Sequence, residues 1–244
     1  MKRLTFFSVL LILMFTLNSP SFSQNKAQKQ ESDTFQKVNY FIDFMDYESG
    51  SLEKWLEAKG FEFRRDARDR KKLDLEVGEN GLVLDVKQGM LGMMLNEAVD
   101  LEEYSSLRLE WGVIQYPEGA NYEQGILNET LLVVVFFGYD KISSGHFLIP
   151  NAPYFIGFFL GKEEQVGKGY VGQYFKKGGR YVCLGNPKPG ETVTSEYDLI
   201  SAFKRKYEKD EVPIISGIAL AIDTTKSGKG GKAAAFIKSI EFLE

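Results

Sequence analysis

The sequence predicts a mostly-β fold, an antiparallel β-sandwich or jelly roll with one packed helix. Three features predict it. Residues 73–77 and 82–86 alternate apolar and charged side chains around an Asn80-Gly81 pair, the pattern of a hairpin with one buried face. Runs at 131–137 and 154–160 are apolar throughout, as in strands covered on both sides. Two further strand-like runs fill 212–242, and most strands have no helical pattern between them, which argues against a parallel α/β sheet.

The N-terminus reads as an export signal. Met1-Lys2-Arg3 is basic, residues 4–17 are apolar, and Ser21 and Ser23 are the small residues a signal peptidase requires, so residues 1–23 are expected to be removed before Gln24. The apolar run of 14 residues is short of the roughly 20 that span a bilayer. No later run spans one either, so the expectation is a soluble periplasmic or extracellular protein without a transmembrane segment. Residues 24–36 are polar and read as a flexible lead-in, and 37–244 as a single sandwich domain. A net charge of −4 is unsuited to phosphate backbones, which excludes nucleic acid as a partner. The single cysteine, Cys183, lies in a strand-like run and reads as a buried bystander.

The remaining elements follow in order. Residues 39–44 alternate weakly and read as a first strand; 46–51 read as a turn, with Trp55 after it as a core anchor. Leu107, Leu109, Trp111 and Val113 alternate with Arg108, Glu110 and Gly112, which puts the latter three on a polar face. Residues 114–130 read as a loop, and Gly157 as a bulge or a close approach by another backbone. Residues 170–175 and 180–184 read as paired strands. Ser195 caps the expected helix, with Asp198 three residues on and Tyr197, Ile200, Phe203 and Tyr207 at helical spacing. Pro213 sets an extended start for the next strand. The Lys226–Lys232 segment, rich in Gly and Lys, lacks the phosphate-loop pattern and reads as a basic hairpin tip.

Few residues carry recognisable chemistry. The only histidine, His146, reads as a loop histidine, because no nucleophile-elbow pattern accompanies it. One His and one Cys do not make a zinc site. Calcium takes only oxygens, so Asp43, Asp46 and Glu48 form a candidate structural calcium site; they also read as solvated turn acids. No other cofactor is expected. Asn128-Glu129-Thr130 fits a glycosylation acceptor. Tyr116, Tyr122 and Tyr139 fall in or beside loops, and Arg108 and Glu110 share a strand face. Together these five form a candidate sugar site, an aromatic platform flanked by charged hydrogen-bonding groups. The plainer reading of the same residues is ordinary loop tyrosines and a solvated strand face.

The C-terminal part resembles an exported bacterial family, domain-of-unknown-function family 3047. Tyr197, Asp198, Ala202 and Phe203 match its acidic-aromatic helix. Pro213, Ile215, Gly217, Ile218 and Ala219 match its next strand, Asp223, Thr224 and Gly228 its loop, and Ala235, Phe236 and Ile240 its last strand; Trp111 is similar to a central-strand tryptophan. Thr225, Lys226 and Ser239 stand where the family has Asp, Asn and Asp. The resemblance implies a sandwich similar to galactose-binding and carbohydrate-binding modules. The expected function is noncatalytic binding of a carbohydrate or similar polar ligand at the cell envelope. A glycan hydrolase and a structural or interaction protein are the alternatives.

Overall fold

A computed structural model describes residues 36–244; the expected signal and most of the expected lead-in lie outside the described residues. Thirteen strands and two helices are found within it. They are β1 (Val38–Asp43), α1 (Leu52–Ala58), β2 (Glu62–Arg65), β3 (Leu73–Gly78), β4 (Gly81–Val86), β5 (Leu91–Asn96), β6 (Ser106–Gln115), β7 (Glu129–Ile142), β8 (Ala152–Leu160), β9 (Gly169–Tyr170), β10 (Gly179–Gly185), β11 (Val193–Asp198), α2 (Leu199–Tyr207), β12 (Ile215–Asp223) and β13 (Ala233–Leu243).

The strands form the two sheets of a β-sandwich. The first runs β11-β6-β13-β4-β3, with β1 also paired to β13; the second runs β2-β5-β12-β7-β8-β10-β9. All pairs are antiparallel except β8 and β10, which are parallel. The inner faces meet in one core that includes Leu73, Leu84, Leu109, Trp111, Val133, Ile156, Leu220 and Phe242. The longer strands contribute alternate residues to it, which is the period-two pattern of the sequence made physical.

The β3–β4 hairpin forms as the alternation requires, with Gly78 paired to Gly81. The left-handed backbone falls on Gly81 alone, at φ +71°. A side chain there would also meet the Ile237 carbonyl of β13, so glycine is required twice over. The apolar run 131–137 is the middle of β7, with β12 on one side and β8 on the other. Gly157 is approached by the Leu132 side chain, not by a backbone.

Several expectations are corrected. Ser195 and Tyr197 belong to β11, which pairs with β6, so α2 starts only at Leu199. Asp198 is its cap and accepts the Ser201 N–H at 2.8 Å. Ser195 instead accepts the Trp111 indole N–H at 3.1 Å in the core. A second helix, α1, carries Trp55, half-buried, with Ser51 as its cap. The final two long strands lie in different sheets, so the glycine-lysine segment between them crosses the sandwich and is no hairpin tip. Of the expected 170–175 strand only Tyr170 pairs with β10, together with Gly169 just before it. Cys183 is buried.

Candidate functional site

The structure brings Arg108 and Glu110 together on the outer face of the first sheet, but not with the tyrosines. Arg108 holds Glu241 at 3.1 Å and Glu196 at 3.2 Å, and Glu110 pairs with Lys238 at 3.3 Å. Between Glu110 and the strand end, Gly112 is covered by the Phe236 ring. Tyr116 is half-buried and donates to the Pro187 carbonyl at 2.7 Å. Tyr139 is 64% exposed and donates to Asp100 at 3.1 Å. Tyr122 is buried in the outer layer of the second sheet. The three tyrosines therefore do not join the Arg108 and Glu110 pair in one site.

Two of the three calcium candidates are engaged locally, and Glu48 is exposed. Asp43 accepts the Met45 N–H at 2.7 Å. Asp46 accepts the Trp55 indole N–H at 3.1 Å and the Lys59 ammonium at 2.7 Å. Among the described residues no group of three or more His, Cys, Asp or Glu side chains converges as metal ligands. His146 is exposed on its loop.

The outer face of the second sheet holds the more unusual arrangement. Alternation sends Leu131, Val133 and Val135 of β7 into the core and Leu132 and Val134 outward, where a second apolar cluster forms with Phe155, Phe159, Tyr170, Cys183 and Ala219. An outer sheet face normally meets water and is polar. Here the 116–128 loop roofs the β8–β10–β9 half. Asn121 caps a short 3₁₀ turn by accepting the Gln124 N–H at 3.0 Å, and the Tyr122 N–H donates to buried Glu164 at 3.0 Å. The Tyr122 ring then stacks on Phe159, with centroids 3.9 Å apart, and meets Tyr170 edge-on.

The roof stops short of β12. Beyond it Ala221, Met93, Leu95 and Phe136 are half-buried and Leu91 is exposed. Ala219 pairs with Leu95 and Ala221 with Met93, so small residues on β12 lie low beside longer ones on β5. Arg64 and Glu62 on β2 form a charged far rim, joined by an ion pair of 2.5 Å.

Two carboxyl groups close one end of this strip. Glu129 at the start of β7 is paired in register with Asp223 at the end of β12. The Tyr122 hydroxyl donates to Glu129 Oε2 at 2.7 Å. Burial pushes the Glu129 carboxyl up to about 8; the Tyr122 bond opposes this and the neighbouring Asp223 adds to it. Burial, with Glu129 beside it, also raises Tyr122 well above the usual phenol. Asp223 Oδ1 accepts both the Thr225 N–H, at 3.0 Å, and its hydroxyl, at 2.6 Å. Glu129 is buried behind this end, and the half-buried Asp223 carboxyl is the oxygen pair it offers to hydroxyl groups.

Sequence reasoning reached Tyr122 but missed Glu129 and the β5 and β12 side chains. Glu129 stood in the sequence as the middle of a glycosylation pattern. Its Asn128 is 3% exposed, with neither amide atom hydrogen-bonded, and is closed to a glycosyl transferase. The usable signal was an acid entering an unbroken apolar run.

No protein-family model matches the sequence, and no curated protein does. Solved structures do align. A point mutant of a family 29 carbohydrate-binding module is 10% identical, covering 83% of this chain and 91% of its own, with a TM-score of 0.34. The xylan-binding module CBM15 is 7% identical over 84% and 96%, with a TM-score of 0.31. The Trichoderma harzianum endoglucanase 3 from family GH12 is 8% identical over 80% and 100%, with a TM-score of 0.32.

Proposed function

We propose that this protein is a noncatalytic carbohydrate binder exported to the cell envelope, and that it holds its ligand on the open half of the outer face of the second sheet. One observation carries the reading. An apolar strip of Met93, Leu95, Ala221 and Phe136 ends at the half-buried Asp223 carboxyl, with Glu129 buried beside it. Sugar rings present C–H faces and hydroxyl edges together, and a strip of this kind supports both. The resemblance of residues 213–240 to domain-of-unknown-function family 3047 fits the same reading, since that stretch includes β12.

The test is titration calorimetry against a panel of soluble polysaccharides. Binding is expected to at least one, with loss of at least tenfold in affinity on changing Ala221→Arg, which fills the strip. Arg108→Ala, on the other sheet, is expected to bind unchanged. Absence of binding across the panel, or indifference to Ala221→Arg, would overturn the reading.

A second reading, a glycan hydrolase, rests on the carboxyl pair itself. Glycoside hydrolysis uses two carboxyls, one kept protonated. Release of reducing ends that Glu129→Gln and Asp223→Asn each abolish would establish it.

A further inference from the structure

We propose that the 143–151 loop is a docking tip for an anionic phospholipid surface. Phe147 is 90% exposed and Leu148 71%, the two most exposed large apolar side chains among the described residues. Adjacent large apolar groups in water are uncommon without a partner.

The loop is built to present them. Ser144 is buried; its hydroxyl lies 2.7 Å from the Ile149 carbonyl and 2.9 Å from that of His146. Its N–H donates to Asn151 at 3.2 Å, and its carbonyl accepts the Phe175 N–H at 2.9 Å, which ties the loop to the 171–178 segment. His146 stacks on Phe147 and meets Tyr174 edge-on. Tyr174 (37% exposed) and Val171 (53%) extend the apolar surface.

Charge selects the partner. The chain is net acidic, yet residues 141–162 and 165–190 contain no Asp or Glu. Lys141, Lys176 and Lys177 are exposed within these two stretches; Asp140 stands just outside. An apolar point in a cationic collar matches a bilayer surface bearing negative headgroups, because acyl chains accept the apolar groups while the lysines meet phosphate. Four apolar side chains are too few for the roughly 800 Å² per partner that a stable protein complex buries.

The test uses the full chain carrying Phe147→Trp, whose emission reports on the tip whatever the N-terminal segment does. With mixed phosphatidylglycerol–phosphatidylcholine vesicles the added emission is expected to shift to the blue and to be quenched by brominated acyl chains; with phosphatidylcholine alone it is expected to stay put. Lys176→Ala with Lys177→Ala is expected to weaken vesicle binding about thirtyfold. Leu148→Asp is expected to weaken it at least tenfold. No shift with anionic vesicles, or a shift indifferent to these changes, would overturn the proposal. So would a shift without lipid that accompanies a doubled mass in light scattering, which would assign the tip to a second copy of the chain. Polysaccharide binding at the strip is read by a separate probe, so either reading can fail alone.

Discussion

Glu129 and Asp223 lie directly opposite each other on neighbouring antiparallel strands, with the Tyr122 hydroxyl bonded to Glu129. Side chains so placed have Cβ atoms about 5 Å apart. Two acids at that spacing repel when both are ionised, and burial raises the Glu129 carboxyl above its ordinary value.

A pH dependence follows. The folded Glu129 carboxyl titrates near 8, above its ordinary 4.5, so the native state holds a proton that the unfolded chain releases. Stability from this group is fully present below about 4.5, is lost as pH rises towards 8 and is flat above. The gap sets an upper bound of about 5 kcal/mol. Thermal melts should show a midpoint falling from pH 5 to pH 8. Glu129→Gln should flatten that slope and melt higher at pH 8; an unchanged slope would show that the carboxyl is solvated.

Two polar residues near α2 should behave differently when truncated. Asp198→Ala removes a helix cap and should cost about 1 kcal/mol in urea denaturation. Ser195→Ala leaves the Trp111 indole N–H buried without a partner and should cost about 1–3 kcal/mol, with a change in tryptophan emission. Larger damage from Asp198→Ala would mean that the helix, and not the core bond, anchors this corner.

At Gly112 a methyl group would overlap both the Phe236 ring and the Glu191 carbonyl. Gly112→Ala should destabilise by about 1–3 kcal/mol. The measurement is the urea midpoint, with the denaturant slope unchanged.

Arg108 reaches two carboxylates, but a third of its side chain is exposed. Arg108→Ala should cost no more than about 1 kcal/mol, and less as salt is added. A larger, salt-insensitive loss would point to packing of the arginine stem.

What the sequence made legible was local. The β3–β4 hairpin could be read because its alternation and its turn glycine lie within fourteen residues. The cap of α2 could not, because Ser195 and Asp198 both suit a helix start and only the pairing of β11 with β6 decides between them. The assignment of β12 and β13 to opposite sheets was hidden for the same reason: alternation tells which side of a strand is wet, not which strand lies beside it. The candidate strip was invisible because Met93, Leu95 and Ala221 look like any outward-facing residues until the 116–128 loop is seen to stop short of them. Tyr122 was noticed as an amphipathic loop residue, and its hydroxyl does meet a polar group, but one that is buried.

Strand β13 pairs with β6 along one edge and with both β4 and β1 along the other. It is synthesised after every strand it joins. While the ribosome works, β1, the β3–β4 hairpin and the β6–β11 pair each keep one unsatisfied edge, and only the emergence of residues 233–243 lets them knit into a layer. Such late, long-range closure is slow, and it marks this protein as one that needs shelter from its neighbours until translation has passed that point.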